Sequence, residues 1–203
     1  MDGLRPTVVW DVDDVLNDLM ASWLEQAWAP AHPDQPVAYA QVLANPPHEL
    51  LGIDRGAYLA SLDDFRTGDG YAAMLPNPRI LAWLDVNGEC CHHVALTATA
   101  LGAAPSTSAW VLRHFGRWIR EFAFVPADRP GEDLPRFDAD KGAWLARLGV
   151  PAVLVDDGPA NLAAATAAGA ATIRWPQPWN SGTGSQEDAL GELDRWLAAR
   201  GPA

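Results

Sequence analysis

The sequence predicts an α/β fold, namely a Rossmann-like, doubly wound parallel sheet with a small helical cap inserted after strand one. Two observations predict it. From residue 78 onward, short apolar runs alternate with stretches of helical periodicity, which is typical of a parallel sheet with helices on both faces. The first apolar run, Thr7–Trp10, is separated from the others by a Pro-rich, mostly helical stretch. We therefore assign residues 1–16 and 76–203 to an α/β core domain and residues 17–75 to the cap.

The cap is predicted to contain two helices. Apolar residues recur at helical spacing from about Asn17 to Trp28, and again from about Asp54 to Phe65. Five prolines between residues 29 and 47 break the first helix. The run Thr67–Gly70 ends the second.

The core domain is predicted to contain four further strands that alternate with helices. Asn77 and Pro78 are typical of a helix start, and Gly88 of a helix end. Ser106 is expected to cap the next helix. The predicted strands are His93–Thr97, Phe122–Val125, Ala152–Val155 and Ala171–Arg174, and the predicted helices lie at about 78–88, 106–115, 140–148, 162–168 and 190–199.

Composition and charge restrict the class of protein. The chain has 203 residues, of which 49% are apolar, and a formal net charge of −12. A negative field of this size repels polyanions, so we expect no long nucleic acid as a partner. No apolar run approaches the roughly 18 residues that a membrane helix needs, so we expect no membrane partner. The first residues are too polar for a secretion signal, which predicts a cytoplasmic protein.

Polar residues gather where the predicted strands end. Asp11 and Asp13 follow the first strand, Thr97 ends the second, and Asp156 and Asp157 follow a later one. In a parallel sheet these ends share one edge, where ligands bind. Carboxylates in close contact cannot all stay ionised without a cation, and oxygen ligands of this kind suit magnesium.

Lys141 is the single lysine among 14 basic residues. Lysine carries a compact charge on a flexible stem, whereas the guanidinium of arginine is planar. Lys141 is therefore a candidate functional residue if its surroundings require an ammonium group. The alternative is that this lysine was retained by chance.

Four segments, in this order along the chain, resemble the motifs of the haloacid dehalogenase (HAD) superfamily of phosphohydrolases: VVWDVDDV, VALTAT, DADKGAWL and VLVDDGPAN. The resemblance implies a HAD-like core and a phosphomonoesterase that forms an aspartyl-phosphate. It implies that Asp11 is the nucleophile, and that Asp13 protonates the leaving oxygen and then deprotonates the hydrolytic water.

The resemblance also implies how the phosphoryl group is bound. Thr97 would donate a hydrogen bond to it, and Ala98 and Thr99 would lie beside it in the substrate site. Lys141 would neutralise charge between nucleophile and phosphate.

The cofactor implied by the resemblance is Mg²⁺. Its ligands would be the Asp11 carboxylate, the backbone carbonyl of Asp13, and the pair Asp156 and Asp157. We expect Asp157 to be the direct ligand and Asp156 its support, with the reverse assignment left open.

A narrower resemblance concerns the substrate. The helical insertion, the stretch AWVLRHFGRWIREFAFVP, the LVDD ending and WPQPWN are similar to the 5'(3')-deoxyribonucleotidases, which implies dephosphorylation of a small nucleotide. Asp14 stands where those enzymes commonly have Gly. The alternatives are a phosphatase of a sugar phosphate or another small metabolite, and a non-catalytic HAD-fold binding protein. In each case we expect a small phosphorylated metabolite as partner and a monomer or homodimer.

The cap should cover the active edge and contact the leaving group. Leu19, Trp23, Phe65 and Tyr71 are the candidates for that contact, and packing within the cap is the alternative for each. The run Cys90–His93 is not expected to bind a metal, because successive residues of a strand point to opposite faces.

Overall fold

The fold is a five-stranded parallel sheet with helices on both faces, as predicted. The computed structural model describes residues 5–130, 133–180 and 184–200. The strands are β1 (Thr7–Trp10), β2 (His92–Thr99), β3 (Glu121–Pro126), β4 (Ala152–Asp156) and β5 (Ala171–Arg174). Their order in the sheet is β3-β2-β1-β4-β5.

The described part of the chain contains nine α-helices of four or more residues. The first of them, Leu19–Trp23, continues through wider π-helical turns over Leu24–Trp28. The helices are α1 (Leu19–Trp23), α2 (His48–Leu51), α3 (Arg55–Thr67), α4 (Asp69–Ala73), α5 (Pro78–Asn87), α6 (Ala104–Phe115), α7 (Lys141–Leu148), α8 (Pro159–Ala167) and α9 (Gln186–Ala198).

Alternate residues of the strands enter two separate cores, as expected for a sheet buried on both faces. Val8 and Trp10 of β1 pack with α5, α6 and α9, and this core continues into the cap helices α1, α3 and α4. Val9 packs on the other face with Leu145 of α7 and Ala165 of α8. The chain therefore changes faces between β1 and β4, so the topological switch point lies at the carboxyl end of β1.

Side-chain caps fix where several helices begin. The carboxylate of Asp54 accepts from the amide of Ala57 at the start of α3, and Asn77 accepts from Arg79 and Ile80 at the start of α5. The prediction for Ser106 is wrong, because α6 begins at Ala104 and Ser106 lies inside its first turn.

Candidate functional site

The carboxyl edge of the sheet brings Asp11, Lys141, Asp156 and Asp157 together. β1 and β4 are direct neighbours, and the amide of Asp11 donates to the carbonyl of Val155 at 2.9 Å. The ammonium of Lys141 lies 2.7 Å from Oδ1 of Asp11 and 2.7 Å from Oδ2 of Asp156. Asp11, Asp156 and Asp157 are all buried, and each places one oxygen within 4.8 Å of the others.

This cluster carries more negative charge than its lysine balances. Burial, together with repulsion from Asp156, raises the pKa of Asp11 well above its usual value. The same two causes raise the pKa of Asp157. Burial acts to lower the pKa of Lys141, but Asp11 and Asp156 together raise it above its usual value. The cluster therefore favours a bound cation, which would stabilise the ionised carboxylates.

The two adjacent aspartates differ in how many of their oxygens are in use. Asp156 accepts from Lys141, from the amide of Gly158 at 2.7 Å and from Nδ2 of Asn161 at 3.0 Å. Asp157 accepts at Oδ2 from the indole of Trp179, at 2.6 Å. Oδ1 of Asp157 accepts no hydrogen bond from the residues that the structure describes. Asp157 thus offers an oxygen to a cation, and the all-oxygen donor set fits Mg²⁺.

The turn after β1 is held by side chains within it. Asp14 adopts φ = 63°, a left-handed conformation that aspartate tolerates better than most residues. Its amide donates to Oδ1 of Asn17 at 3.1 Å, and its Oδ1 accepts from the amide of Met20 at 2.8 Å. Asn17 also donates to Oδ1 of Asp13 at 3.1 Å. These bonds fix the direction in which Asp13 points.

Asp13 is bound by the cap as well as by its own turn. Nε and Nη2 of Arg66, on α3, each lie 3.0 Å from Oδ2 of Asp13. The hydroxyl of Tyr71, on α4, donates to Oδ1 at 2.9 Å. Sequence reasoning did not identify Arg66 or Asn17. Helical spacing places Arg66 on the face of α3 that carries Tyr58 and Leu62. This spacing is the only feature of the sequence that points to a role for Arg66.

A cavity of about 370 Å³ lies over this edge, between the sheet and the cap. Its floor includes Asp11, Asp13, Thr97, Ala98 and Asp157. Lys141 and Asp156 do not line it. The remaining lining residues are Asp14, Leu19, Met20, Asn45, Pro46, Arg55, Tyr58, Leu59, Leu62, Arg66, Arg129, Gly158 and Asn161.

Five of the predicted substrate contacts do not line the cavity. Lys141 and Tyr71 contact Asp11 and Asp13 instead, and the other three are Thr99, Trp23 and Phe65. Thr99 is buried in β2, and its Oγ1 has no hydrogen-bond partner among the residues that the structure describes. Trp23 is fully buried; its ring packs edge-on against Tyr58, and its indole donates to Ser61. Phe65 belongs to the hydrophobic core of the cap. The assignment of Trp23 and Phe65 is therefore corrected to cap packing, the alternative considered for both, whereas Leu19 does line the cavity.

The run Cys90–His93 lies at the opposite, amino edge of the sheet. There the indole of Trp10 donates to Nδ1 of His93 at 3.1 Å, and Nε2 of His93 lies 3.0 Å from the carbonyl oxygen of Gly88. Because Nδ1 accepts, Nε2 carries the proton and donates. Both ring nitrogens of His93 therefore make hydrogen bonds within the fold.

Comparisons with known proteins identify the fold. No protein-family model and no curated protein match the sequence. Among solved structures, Mycobacterium tuberculosis Protein Tyrosine Kinase A (PtkA) has a TM-score of 0.62 and 20% identity, covering 95% of this chain and 99% of that one. A HAD-superfamily hydrolase of subfamily IA from Geobacter sulfurreducens has a TM-score of 0.52 and 14% identity, with coverage of 95% and 98%.

CbbY from Rhodobacter sphaeroides, in complex with phosphate, has a TM-score of 0.52 and 16% identity, covering 90% of this chain and 92% of that one. A mutant of the same protein is solved with xylulose-(1,5)bisphosphate. In the described part of the chain, no helix has the length and apolar character needed to span a lipid bilayer. At these identities the comparisons show the architecture alone: this chain has the α/β fold of HAD-superfamily hydrolases.

Proposed function

We propose that this protein is a magnesium-dependent phosphomonoesterase that forms an aspartyl-phosphate on Asp11. The observation that carries the proposal is the contact of one buried ammonium with Asp11 and Asp156, in a cluster whose other two members, Asp11 and Asp157, line a cavity. A structural ion pair would need neither the third carboxylate nor the cavity. Roles for the individual side chains follow from their contacts.

Asp11 has one oxygen engaged and one available. Its Oδ1 contacts Lys141 and accepts from the amide of Val12 at 2.7 Å, whereas Oδ2 accepts no hydrogen bond from described residues. Oδ2 would attack phosphorus, and the bond from phosphorus to the ester oxygen would break as that oxygen takes a proton from Asp13. Water would then attack phosphorus and give a proton to Asp13. Phosphate leaves, and the Asp11 carboxylate is restored.

Asp13 must change its contacts to carry a proton. Arg66, Tyr71 and Asn17 all donate to its carboxylate in the structure, which suits the ionised form that accepts a proton from water. To act as the acid, Asp13 has to separate from Arg66. Since Arg66 belongs to cap helix α3, movement of the cap relative to the sheet would release it.

The Asp11 carboxylate, the Asp13 backbone carbonyl and Asp157 would hold Mg²⁺. The bound ion would neutralise charge on the phosphoryl oxygens. Lys141 would supply positive charge through its contact with Asp11, and Thr97, which lines the cavity, would donate its hydroxyl to the phosphoryl group. Asp156 serves as support, because its oxygens already bind Lys141, Gly158 and Asn161.

The substrate would be a small phosphorylated metabolite, since the cavity is too small for a polymer. A small nucleotide is the class that the motif resemblance favours. A sugar phosphate is an equal candidate, because CbbY shares the fold and its structures hold phosphate and xylulose bisphosphate. The solved structures described above give no support to the narrower resemblance to nucleotidases. We also propose a cytoplasmic location and a monomeric or homodimeric state.

The test is phosphate release from a panel of nucleoside monophosphates and sugar phosphates, with Mg²⁺ or with chelator. Asp11→Asn, which keeps the size of the side chain, is the matched inactive control. We expect turnover by the wild type only with the metal, and none by Asp11→Asn. Equal rates for the two proteins on every ester would instead favour a non-catalytic binding protein.

A further inference from the structure

The segment that follows β5 reaches the acidic cluster and contacts Asp157. Its first amide, that of Trp175, donates to the carbonyl of Asp156 at 2.9 Å, so the segment leaves β5 beside the end of β4. It then forms a short 3₁₀ turn, Pro178–Asn180. This turn places the indole nitrogen of Trp179 at 2.6 Å from Oδ2 of Asp157. Trp179 therefore acts on a carboxylate that belongs to the neighbouring strand.

Trp179 is held firmly in this position. It is 9% exposed, and the ring of Tyr39 packs edge-on against it with 5.9 Å between the ring centroids. The next residue, Asn180, is buried and donates through Nδ2 to the carbonyls of Asp157 and Trp175, at 2.9 and 2.7 Å. Packing and backbone contacts thus fix the indole relative to the Asp157 carboxylate.

Existing contacts leave few carboxylate oxygens of the cluster free for a cation. Both oxygens of Asp156 accept hydrogen bonds, and Oδ1 of Asp11 contacts Lys141. The indole of Trp179 occupies Oδ2 of Asp157. Oδ2 of Asp11 and Oδ1 of Asp157 accept no hydrogen bond from described residues. Each of these two carboxylates therefore has one unoccupied oxygen to offer, and not a pair.

Such a donor set discriminates between divalent cations. Ca²⁺ takes about six to eight oxygen ligands and often binds both oxygens of one carboxylate, whereas Mg²⁺ is octahedral, keeps several waters and needs only about one or two carboxylates. A carboxylate that offers a single oxygen therefore disfavours Ca²⁺ more than Mg²⁺. The contact from Trp179 is neutral, so its removal frees Oδ2 of Asp157 without changing the charge of the cluster.

We propose that Trp179 is a positioning residue that makes this site select Mg²⁺ over Ca²⁺. By holding Oδ2 of Asp157, the indole restricts that ligand to one oxygen. This inference rests on the proposed function, because that function places a divalent cation at Asp11 and Asp157. It adds that the choice of ion depends on a neutral side chain that does not itself bind the ion.

The test is calorimetric titration of the metal-free, full-length protein with Mg²⁺ and, separately, with Ca²⁺. For the wild type we expect a larger Kd for Ca²⁺ than for Mg²⁺. Trp179→Phe keeps an aromatic ring against Tyr39 but lacks the N–H donor. In this variant the ratio of the Kd for Ca²⁺ to the Kd for Mg²⁺ should fall about ten-fold or more, because Mg²⁺ loses an oriented ligand and Ca²⁺ gains a second oxygen from Asp157.

Trp83→Phe is the matched control. The indole of Trp83 also donates to a carboxylate, that of Asp194 at 2.7 Å, where α5 packs against α9, so its loss should leave the ratio unchanged. Asn180→Ala separates the orientation of the carboxylate from general support of the turn. Asn180 contacts the backbone carbonyl of Asp157 and not its carboxylate, so in this variant both affinities should weaken together and the ratio should stay.

An unchanged ratio in Trp179→Phe would overturn the inference, whether both affinities weaken alike or neither changes, and even if the wild type is an active phosphatase. A wild type that binds Ca²⁺ as tightly as Mg²⁺, or binds neither ion, would also overturn it. Trp179→Met, which lacks the N–H as well, should give the same lower ratio and replaces Trp179→Phe if that variant does not fold. A lower ratio supports the inference even if the wild type hydrolyses no ester, since the titration requires no turnover.

Discussion

At the scale of single residues, Lys141 has the least replaceable side chain of the candidate site. It is fully buried between two carboxylates, and Lys141→Met would leave Asp11 and Asp156 without their shared counter-ion. We expect the free energy of unfolding to fall by about 3–5 kcal/mol and phosphate release to be lost. Chemical denaturation measures the first effect.

The matched control is Arg147→Met on the same helix, since Arg147 is exposed and should change stability by roughly 0.5 kcal/mol at most. Equal stability of the two variants would show that the lysine is not required to balance the carboxylates. In that case the charge of the cluster would have to be relieved in another way.

His93 is predicted to make the fold sensitive to acid. Burial lowers the pKa of His93 to about 4, below the value of about 6.5 for an unfolded histidine. The unfolded chain therefore binds the proton first, and stability is lost as the pH falls from 6.5 through about 4. Over that range the wild type should lose up to about 1.4 kcal/mol per pH unit more than His93→Gln. Parallel pH profiles of the unfolding free energy would contradict this.

The order of motifs in the sequence was enough to place Asp11, Lys141 and Asp157 at one edge. Arg66 and Trp179 could not be found in the same way, because they reach Asp13 and Asp157 from distant parts of the chain. Such contacts depend on how the cap and the last loop pack, and short-range periodicity carries no information on that.

At the scale of secondary-structure elements, Asp63 joins the cap to the core. Asp63 lies on α3, and its Oδ2 accepts from Nε of Arg129 at 2.5 Å. Arg129 follows β3 in the chain. Asp63 also contacts Arg66. We expect Asp63→Asn to weaken both contacts and to increase hydrogen exchange of α3 amides at least about five-fold. The neighbouring Asp64→Asn, at an exposed position, is the control. Equal exchange in the two variants would mean that the apolar core alone holds α3.

The sequence predicted the strands well because each is a short apolar run between turn residues. Helix starts were predicted less accurately. Asn77 and Pro78 opened α5 as expected, but Ser106 fell inside α6, because a serine looks the same in sequence whether or not a helix has begun before it. Trp23 and Phe65 show the same ambiguity in the cap, where a large apolar residue at helical spacing fits either a core or a ligand site.

At the scale of the whole molecule, the acidic cluster couples metal binding to stability and pH. Burial and repulsion raise the pKa values of Asp11 and Asp157, so the native state without metal holds protons that the unfolded chain has released. The stability of the metal-free protein should therefore fall as the pH rises above the unfolded value of about 4.

Mg²⁺ competes with those protons, so its stabilising effect should grow with pH. We expect the difference in Tm between samples with Mg²⁺ and with chelator to increase between about pH 5 and pH 8. Asp157→Asn should reduce that difference at every pH. A difference that is independent of pH would indicate that the ion binds elsewhere.

The contact between Trp179 and Asp157 has a practical consequence for that measurement. An indole hydrogen-bonded to a carboxylate at 2.6 Å experiences any change of charge on that carboxylate, so its fluorescence emission should respond when a cation arrives. The protein thereby carries its own optical reporter of occupancy, and titration of the unlabelled chain, with Trp179→Phe as the silent reference, would yield the affinity for the ion without any turnover.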